Sequence, residues 1–326
     1  MKALVTGGHG FIGSFLVERL LKEGVQVRCL VRKTSDLRWI RHLNVELVIG
    51  DLTEAETLPE AVKGVDVVYH NAGAIKAKTK DAFFSINTHG TVDLAKAVSL
   101  HAPNVQRFVY ISSVAAVGPG SGDRQATENT PCFPISAYGQ SKRSAEEILE
   151  KEFSHLPYTI IRPSIVYGPR DEHFLTFFKF ARFGWFPIPY PYERYYSIVH
   201  VLDLVEGIVL AAASPSAVKQ TYILCNEEFY TFENLAQCLT KPFGKNPHFI
   251  RIPKIALEAV ALFGDAYSWL TKRDMMISRL KLPELSATSW VFSPKKAQAQ
   301  LSFQPKIPLV QGAHETVAWY RKNNYL

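Results

Sequence analysis

Thr6-Gly7-Gly8-His9-Gly10-Phe11-Ile12-Gly13 constrains this 326-residue chain more than any other stretch. The apolar residues Leu4 and Val5 lead into it, and Phe11 to Lys22 follow with helical periodicity until Gly24, where a helix stops. In such a strand–turn–helix, Gly7 permits the tight turn and Gly10 lets the backbone approach an anion. Gly13 lets the helix pack hard on the strand, so that helix amides and dipole face a pyrophosphate. The ligand that this turn fits is a dinucleotide, held by Gly7, Gly10, Phe11, Ile12 and Gly13.

Which dinucleotide is read from the next strand, Gln26 to Val31. A unit that takes NAD places Asp or Glu roughly 20 residues beyond the glycines to hold the ribose 2′-hydroxyl. Arg32 and Lys33 stand there instead, and a guanidinium pairs with a 2′-phosphate, so NADP(H) is the expected cofactor. Asp36 nearby keeps NAD open. The net charge is +7, but its cations are scattered along the chain, which suits solubility and an anionic cofactor and does not imply nucleic acid. Cys29, Cys132, Cys225 and Cys238 lack CxxC spacing, so reduced thiols and a cytoplasmic location are expected. No apolar run reaches the roughly 18 residues that span a bilayer, and no leader precedes the first strand.

A βα rhythm continues from there. Val45 to Ile49 reads as a strand ending in Gly50-Asp51-Leu52, Val65 to Tyr69 as one ending in Asn71-Ala72-Gly73, and Arg107 to Ile111 as one ending in Ser112-Ser113. Helical patterns fill Asp81 to Leu100 and Ala137 to Glu152, and Tyr158 to Arg162 makes a sixth strand. This predicts an α/β fold with a doubly wound parallel (Rossmann) sheet. Ligands bind beyond the carboxyl ends of such strands, so Asp51 and Leu52 are expected near an adenine and Asn71, Ala72 and Gly73 beneath a ribose. After Pro163 the regularity breaks. Phe174 to Phe183 is dense in phenylalanine, Trp185 to Tyr196 reads as a Pro/Tyr-rich loop, Val201 to Ala213 is helical and Tyr222 to Cys225 is one more strand. The expected division is a cofactor domain over residues 1–165, with returns near 198–225, and a smaller, intercalated substrate region over 166–326.

The chemistry is read from Tyr138 and Lys142. At i and i+4 on one helix they share a face, so the ammonium is expected beside the phenol, favouring its ionised form. Ser113, at the end of the fifth strand, can hold a substrate oxygen, and Asn87 on the preceding helix can anchor a water beside Lys142. Ser113, Tyr138, Lys142 and Asn87 form a candidate hydride-transfer site.

These motifs together resemble those of the extended short-chain dehydrogenase/reductase superfamily, over nearly the whole chain. Residues 6–13 are similar to its TGxxGxxG, Gly50-Asp51-Leu52 to its adenine-side DL, Asn87-Thr-His-Gly-Thr91 to its NxxGT, and Tyr138 with Lys142 to its YxxxK. Arg162–Pro169 and His200–Leu204 resemble its RPxxVYGP and HVxDL stretches. The resemblance implies catalytic Ser113, Tyr138 and Lys142, an assisting Asn87, and Pro163 beside the nicotinamide. Sugar-nucleotide members place an asparagine and an arginine, directed at a diphosphate, where Ile165 and Tyr196 stand here, with Arg194 left as a substitute anchor. The dihydroflavonol-reductase, 3β-hydroxysteroid-dehydrogenase and hopanoid-associated branches are more similar.

The expected activity is therefore carbonyl/secondary-alcohol interconversion on a small, fairly apolar substrate. A nucleotide-sugar epimerase or dehydratase retaining its cofactor is the alternative, and a non-catalytic dinucleotide sensor the third reading. A homodimer is compatible with the sequence. His70 and His200 read as partners of backbone carbonyls, and no metal site is expected. The amphipathic stretch Ile255 to Leu270, with Phe263 and Trp269, is expected to cap the pocket or core, with membrane binding as the alternative. Trp290, Phe292, Leu301, Phe303 and Trp319 are expected to return the tail to the core.

Overall fold

Short β-branched runs separated by amphipathic helices give a parallel sheet covered on both faces. In a computed structural model, described for residues 1–271 and 282–326 apart from the side chains of 261, 265–271 and 285, the first half runs β1 (Lys2–Thr6), α1 (Phe11–Lys22), β2 (Gln26–Val31), β3 (Glu46–Ile49), α2 (Leu58–Val62) and β4 (Val67–His70). It continues through α3 (Lys80–Phe83), a π-helical segment (Phe84–His89), α4 (Gly90–His101), β5 (Arg107–Ile111), α5 (Ala137–Glu152) and β6 (Tyr158–Pro163). The helix expected over 81–100 is thus two helices joined by wide π turns. Hydropathy does not reveal such a widening, and it occurs at the residue that serves the site, Asn87.

The remainder comprises β7 (Ile165–Tyr167), α6 (Leu175–Phe183), β8 (Trp185–Pro189), β9 (Tyr195–His200), α7 (Val201–Ala213), β10 (Gln220–Leu224), β11 (Phe229–Thr231), α8 (Phe232–Thr240) and β12 (His248–Ile252). Then follow α9 (Lys254–Thr271), α10 (Leu282–Ser286), β13 (Ser289–Trp290), α11 (Lys295–Leu301) and α12 (Leu309–Lys322). The 185–196 stretch is not a loop: Trp185–Pro189 pairs in parallel with β12, and Tyr195 and Tyr196 open β9. Pro187 and Pro189 obscured the strand, since neither can donate to a ladder; a two-stranded ribbon tolerates them because each strand needs only one bonded edge.

The large sheet has the order β10-β6-β5-β4-β1-β2-β3, every pair parallel. Its order reverses between β1 and β4, and there the Gly7 turn meets the turn after β4: a Cβ on Gly7 would lie 2.9 Å from the Ala72 Cα. One sheet face buries Leu16, Val17 and Leu20 of α1 with Leu204 and Ile208 of α7 and Leu301 of α11. The other buries Leu94 and Val98 of α4 with Ala145 and Leu149 of α5. A third core joins Tyr167, Phe178, Phe186, Leu235 and Tyr320 in the second region. Phe292, Leu301 and Phe303 enter the cores as expected, and half-buried Trp290 and Trp319 pack against them, Trp319 also against Trp39 at 5.6 Å between ring centroids.

α9 departs from expectation. Leu257 is buried, but Ile255, Leu262 and Phe263 face outward, so the described part of the helix does not cap a core with its apolar arc. The Trp269 side chain lies outside the described residues.

Candidate active site

The site is assembled at the carboxyl ends of β1, β4 and β5. Gly10 precedes α1 without a side-chain cap, and no acid occupies the first turn, so the amides of Phe11, Ile12 and Gly13 keep their affinity for an anion. Space is made by omission of side chains: a Cβ on Gly13 would stand 2.1 Å from the Gly7 carbonyl oxygen. One on Gly73 would stand 3.0 Å from Asn87 Oδ1 and 3.2 Å from Lys142 Nζ. An uncapped helix start, a glycine turn and this opening beside Lys142 fit a dinucleotide.

At the end of β2, Arg32 and Lys33 are exposed. Asp36 is taken up by Arg38, whose Nε and Nη2 approach one carboxylate oxygen at 2.5 Å each. Arg32 also reaches His9, a residue the sequence reading passed over. Burial, then the Arg32 charge, hold the His9 imidazole below its ordinary value, and its Nδ1 is buried without a hydrogen-bond partner. Asp51 caps its own turn, accepting from the Thr53 amide and hydroxyl at 3.0 Å each, with Leu52 buried behind it. Asn71 Nδ2 donates to the Gly7 carbonyl at 3.4 Å, which ties the two turns together.

Asn87 Oδ1 accepts from the Ala74 amide at 2.7 Å, while Nδ2 donates to the Ala74 carbonyl and to Ser141 Oγ at 3.0 Å each. The side-chain amide thus pins the turn that follows β4, and one lone pair of Oδ1 is left over. The Ser113 hydroxyl lies near enough to the Tyr138 phenol to favour its ionisation, and it accepts from the Ala115 amide at 3.1 Å. Lys142 Nζ donates to the Ile111 carbonyl at 2.8 Å and lies 4.9 Å from the Tyr110 ring centroid.

Burial opposes the expected ammonium-to-phenol effect. Desolvation pushes the Tyr138 phenol up to about 12 against the influence of the Ser113 hydroxyl, and pushes Lys142 down to about 8 against the attraction of Glu146. Glu146 was legible as a third member of the i, i+4 stripe and was missed. It is fully buried, and it accepts from Ser112 Oγ at 2.6 Å, Arg162 Nη2 at 2.6 Å and Arg143 Nη1 at 3.0 Å. Glu284 of α10, also unforeseen, accepts from Ser136 Oγ at the start of α5 and lies near enough to Tyr138 to oppose its ionisation. Pro163 ends β6, buried, beside β10.

Arg194 does not substitute as a diphosphate anchor. It is buried, and its guanidinium donates to the carbonyls of Pro189, Pro191 and Ala287 at 2.7–3.2 Å. The Tyr196 phenol lies within the field of the Arg194 guanidinium, and Ile165 pairs with Ile198 in the second sheet. His70 bridges the Thr6 and Thr91 hydroxyls at 2.8 Å each rather than meeting carbonyls, and burial pushes it down to about 3. Among the described residues no cluster of metal-ligating side chains occurs.

The profile of the NAD dependent epimerase/dehydratase family matches residues 3–225. The chain is 30% identical over 323 residues to the ceramide reductase of Caulobacter vibrioides, covering 99% of this chain and 95% of that protein. It is 27% identical to the 4-hydroxy-2-methyl-3-oxo-4-farnesyl-3,4-dihydroquinoline-1-oxide ketoreductase of Stigmatella aurantiaca, covering 96% and 94% respectively. The crystal structure of UDP-glucose 4-epimerase from Thermotoga maritima, with UDP-glucose, superposes with a TM-score of 0.81 at 22% identity, over 99% of this chain and 100% of that one, a likeness of fold.

Proposed function

The chain belongs to the NAD dependent epimerase/dehydratase family and is an NAD(P)-dependent enzyme, and from that premise we propose that it interconverts a ketone and a secondary alcohol on an apolar substrate, with NADP(H) as the preferred cofactor. The observation that carries the reading is the proximity of the Ser113 hydroxyl to the Tyr138 phenol, one helical turn from Lys142, whose ammonium borders the opening at Gly73. Residues 1–165 with the returns near 198–225 carry the cofactor in this reading, and 166–326 mainly the substrate.

A bound nicotinamide supplies or accepts the hydride. In reduction, Ser113 donates a hydrogen bond to the carbonyl oxygen and Tyr138 gives that oxygen its proton; in oxidation Tyr138 takes the proton back. Lys142 orients the cofactor's ribose and adds positive charge near the phenol. Asn87 acts through the backbone, fixing Ala74 and hence the turn on which the cofactor rests. Arg32 and Lys33, exposed at the end of β2, would hold a 2′-phosphate. The apolar substrate class is supported by the occupied state of Arg194 and by Ile165 and Tyr196, which leave a diphosphate without charge-assisted partners. The names of the Caulobacter and Stigmatella relatives, a ceramide reductase and a reductase of a farnesylated ketone, point the same way.

The test is NADPH turnover with a panel of apolar ketones and UDP-sugars. Parent protein should consume NADPH with the ketones, and Tyr138→Phe should bind cofactor normally while losing roughly 10²–10⁴-fold in rate. A parent that epimerises UDP-sugars with retained cofactor overturns the reading.

A further inference from the structure

Of the fifteen exposed large hydrophobic side chains among the described residues, eight lie within residues 183–190 and 250–263. On α9, Ile255, Leu262 and Phe263 are 81%, 55% and 77% exposed, and their spacing of seven and eight residues puts them on one helix face; buried Leu257 faces the other way. The strand pair that precedes the helix is similar. Its register sets Trp185 opposite His248 and Pro187 opposite Ile250, while Phe186 and Ile188 turn into the core. Trp185 and Ile250 are about half exposed, and Phe183 is more so.

Charge gathers on the same stretches. Residues 179–190 and 241–264 carry six exposed cations, Lys179, Arg182, Lys241, Lys245, Arg251 and Lys254, against one acid, Glu258. Five of the seven net positive charges therefore lie here; the remaining 290 residues hold 31 cations and 29 acids. The excess is scattered in sequence but concentrated in the fold.

A monomer rarely leaves so much apolar side chain in water without a partner. An apolar arc with an aromatic residue, on stretches that also carry exposed lysine and arginine, suits the boundary between headgroups and acyl chains of an anionic bilayer. A second copy would bring five like charges against five. None of the described helices is long and apolar enough to cross a membrane, so contact would be from one side. We propose that α9 and the outer face of the β8–β12 pair dock this protein on an anionic lipid bilayer, with Ile255, Leu262 and Phe263 inserted and the cations against the headgroups. The proposal stands independently of the reductase reading.

The experiment is co-sedimentation of the full chain with vesicles of phosphatidylcholine alone or mixed with phosphatidylglycerol. Binding is expected to the mixed vesicles, weakened about tenfold or more by high salt. Combined Ile255→Glu and Phe263→Glu should weaken it tenfold or more, with NADPH binding retained as the check on folding. Should that variant fail to fold, Lys245→Glu with Lys254→Glu, both at exposed sites, should weaken it comparably. Leu100→Glu, at an exposed residue outside these stretches, should leave it unchanged. No sedimentation of the parent at low salt overturns the proposal, as does undiminished binding by the folded variants. So does a parent dimer that the variants convert to monomer.

Discussion

Burial shifts the protonation of Tyr138 and Lys142 in opposite directions. A phenol held near 12 is protonated throughout the neutral range, so it is ready to donate in reduction and seldom ready to accept in oxidation. Between pH 6 and 8 the reduction rate constant kcat/KM should stay flat with respect to this group, whereas that for alcohol oxidation should rise about tenfold per pH unit. Steady-state profiles in both directions check this, and a flat oxidation profile would assign the base to another residue. Arg32 gives the second expectation at this scale. Asp36 is held by Arg38, so Arg32 is the charge left for a 2′-phosphate. Arg32→Ala should weaken NADPH by roughly tenfold or more and leave NADH nearly unchanged, as calorimetry can show. The placement of Tyr138 and Lys142 one turn apart on a helix, and of Ser113 at a strand end, was legible in the sequence from helix periodicity and the strand pattern. The commitment of Arg194 to three backbone carbonyls was not, because those carbonyls come from a turn and from a segment more than ninety residues away.

Among the elements, the glycine turn carries the tightest steric demand. A methyl group at Gly13 would meet the Gly7 carbonyl at 2.1 Å, backbone against which nothing flexible can yield, so α1 would have to leave β1. Gly13→Ala should therefore reduce NADPH affinity by more than about tenfold, whereas Gly24→Ala, at a site with nothing within 4 Å but a φ of +74°, should cost only stability. Titration beside a thermal melt separates the two outcomes. The βα half of the chain was legible because each strand is a short apolar run ending in small polar residues. The second region was less so: β8 carries two prolines, β12 lies some sixty residues beyond it, and neither reads as a strand without the other. The π turns at 84–89 leave no signature in hydropathy; they show only as the register that brings Asn87 to Ala74.

The whole molecule is a sheet closed late. β10 lies beside β6 at one end of the large sheet, yet the chain builds β7 to β9 and α7 before reaching it. On the ribosome, then, the first half emerges with the outer β6 edge open: Thr159, Ile160 and Ile161, all buried in the finished protein, pair with β5 alone until residue 224 is out. An unpaired apolar edge is a template for another chain. A polypeptide ended at residue 214 should pellet far more than one ended at 226, which supplies the missing strand, and equal pelleting would locate the hazard elsewhere. A nascent chain of this topology thus passes through a window in which a holdase or a slow codon has something specific to protect.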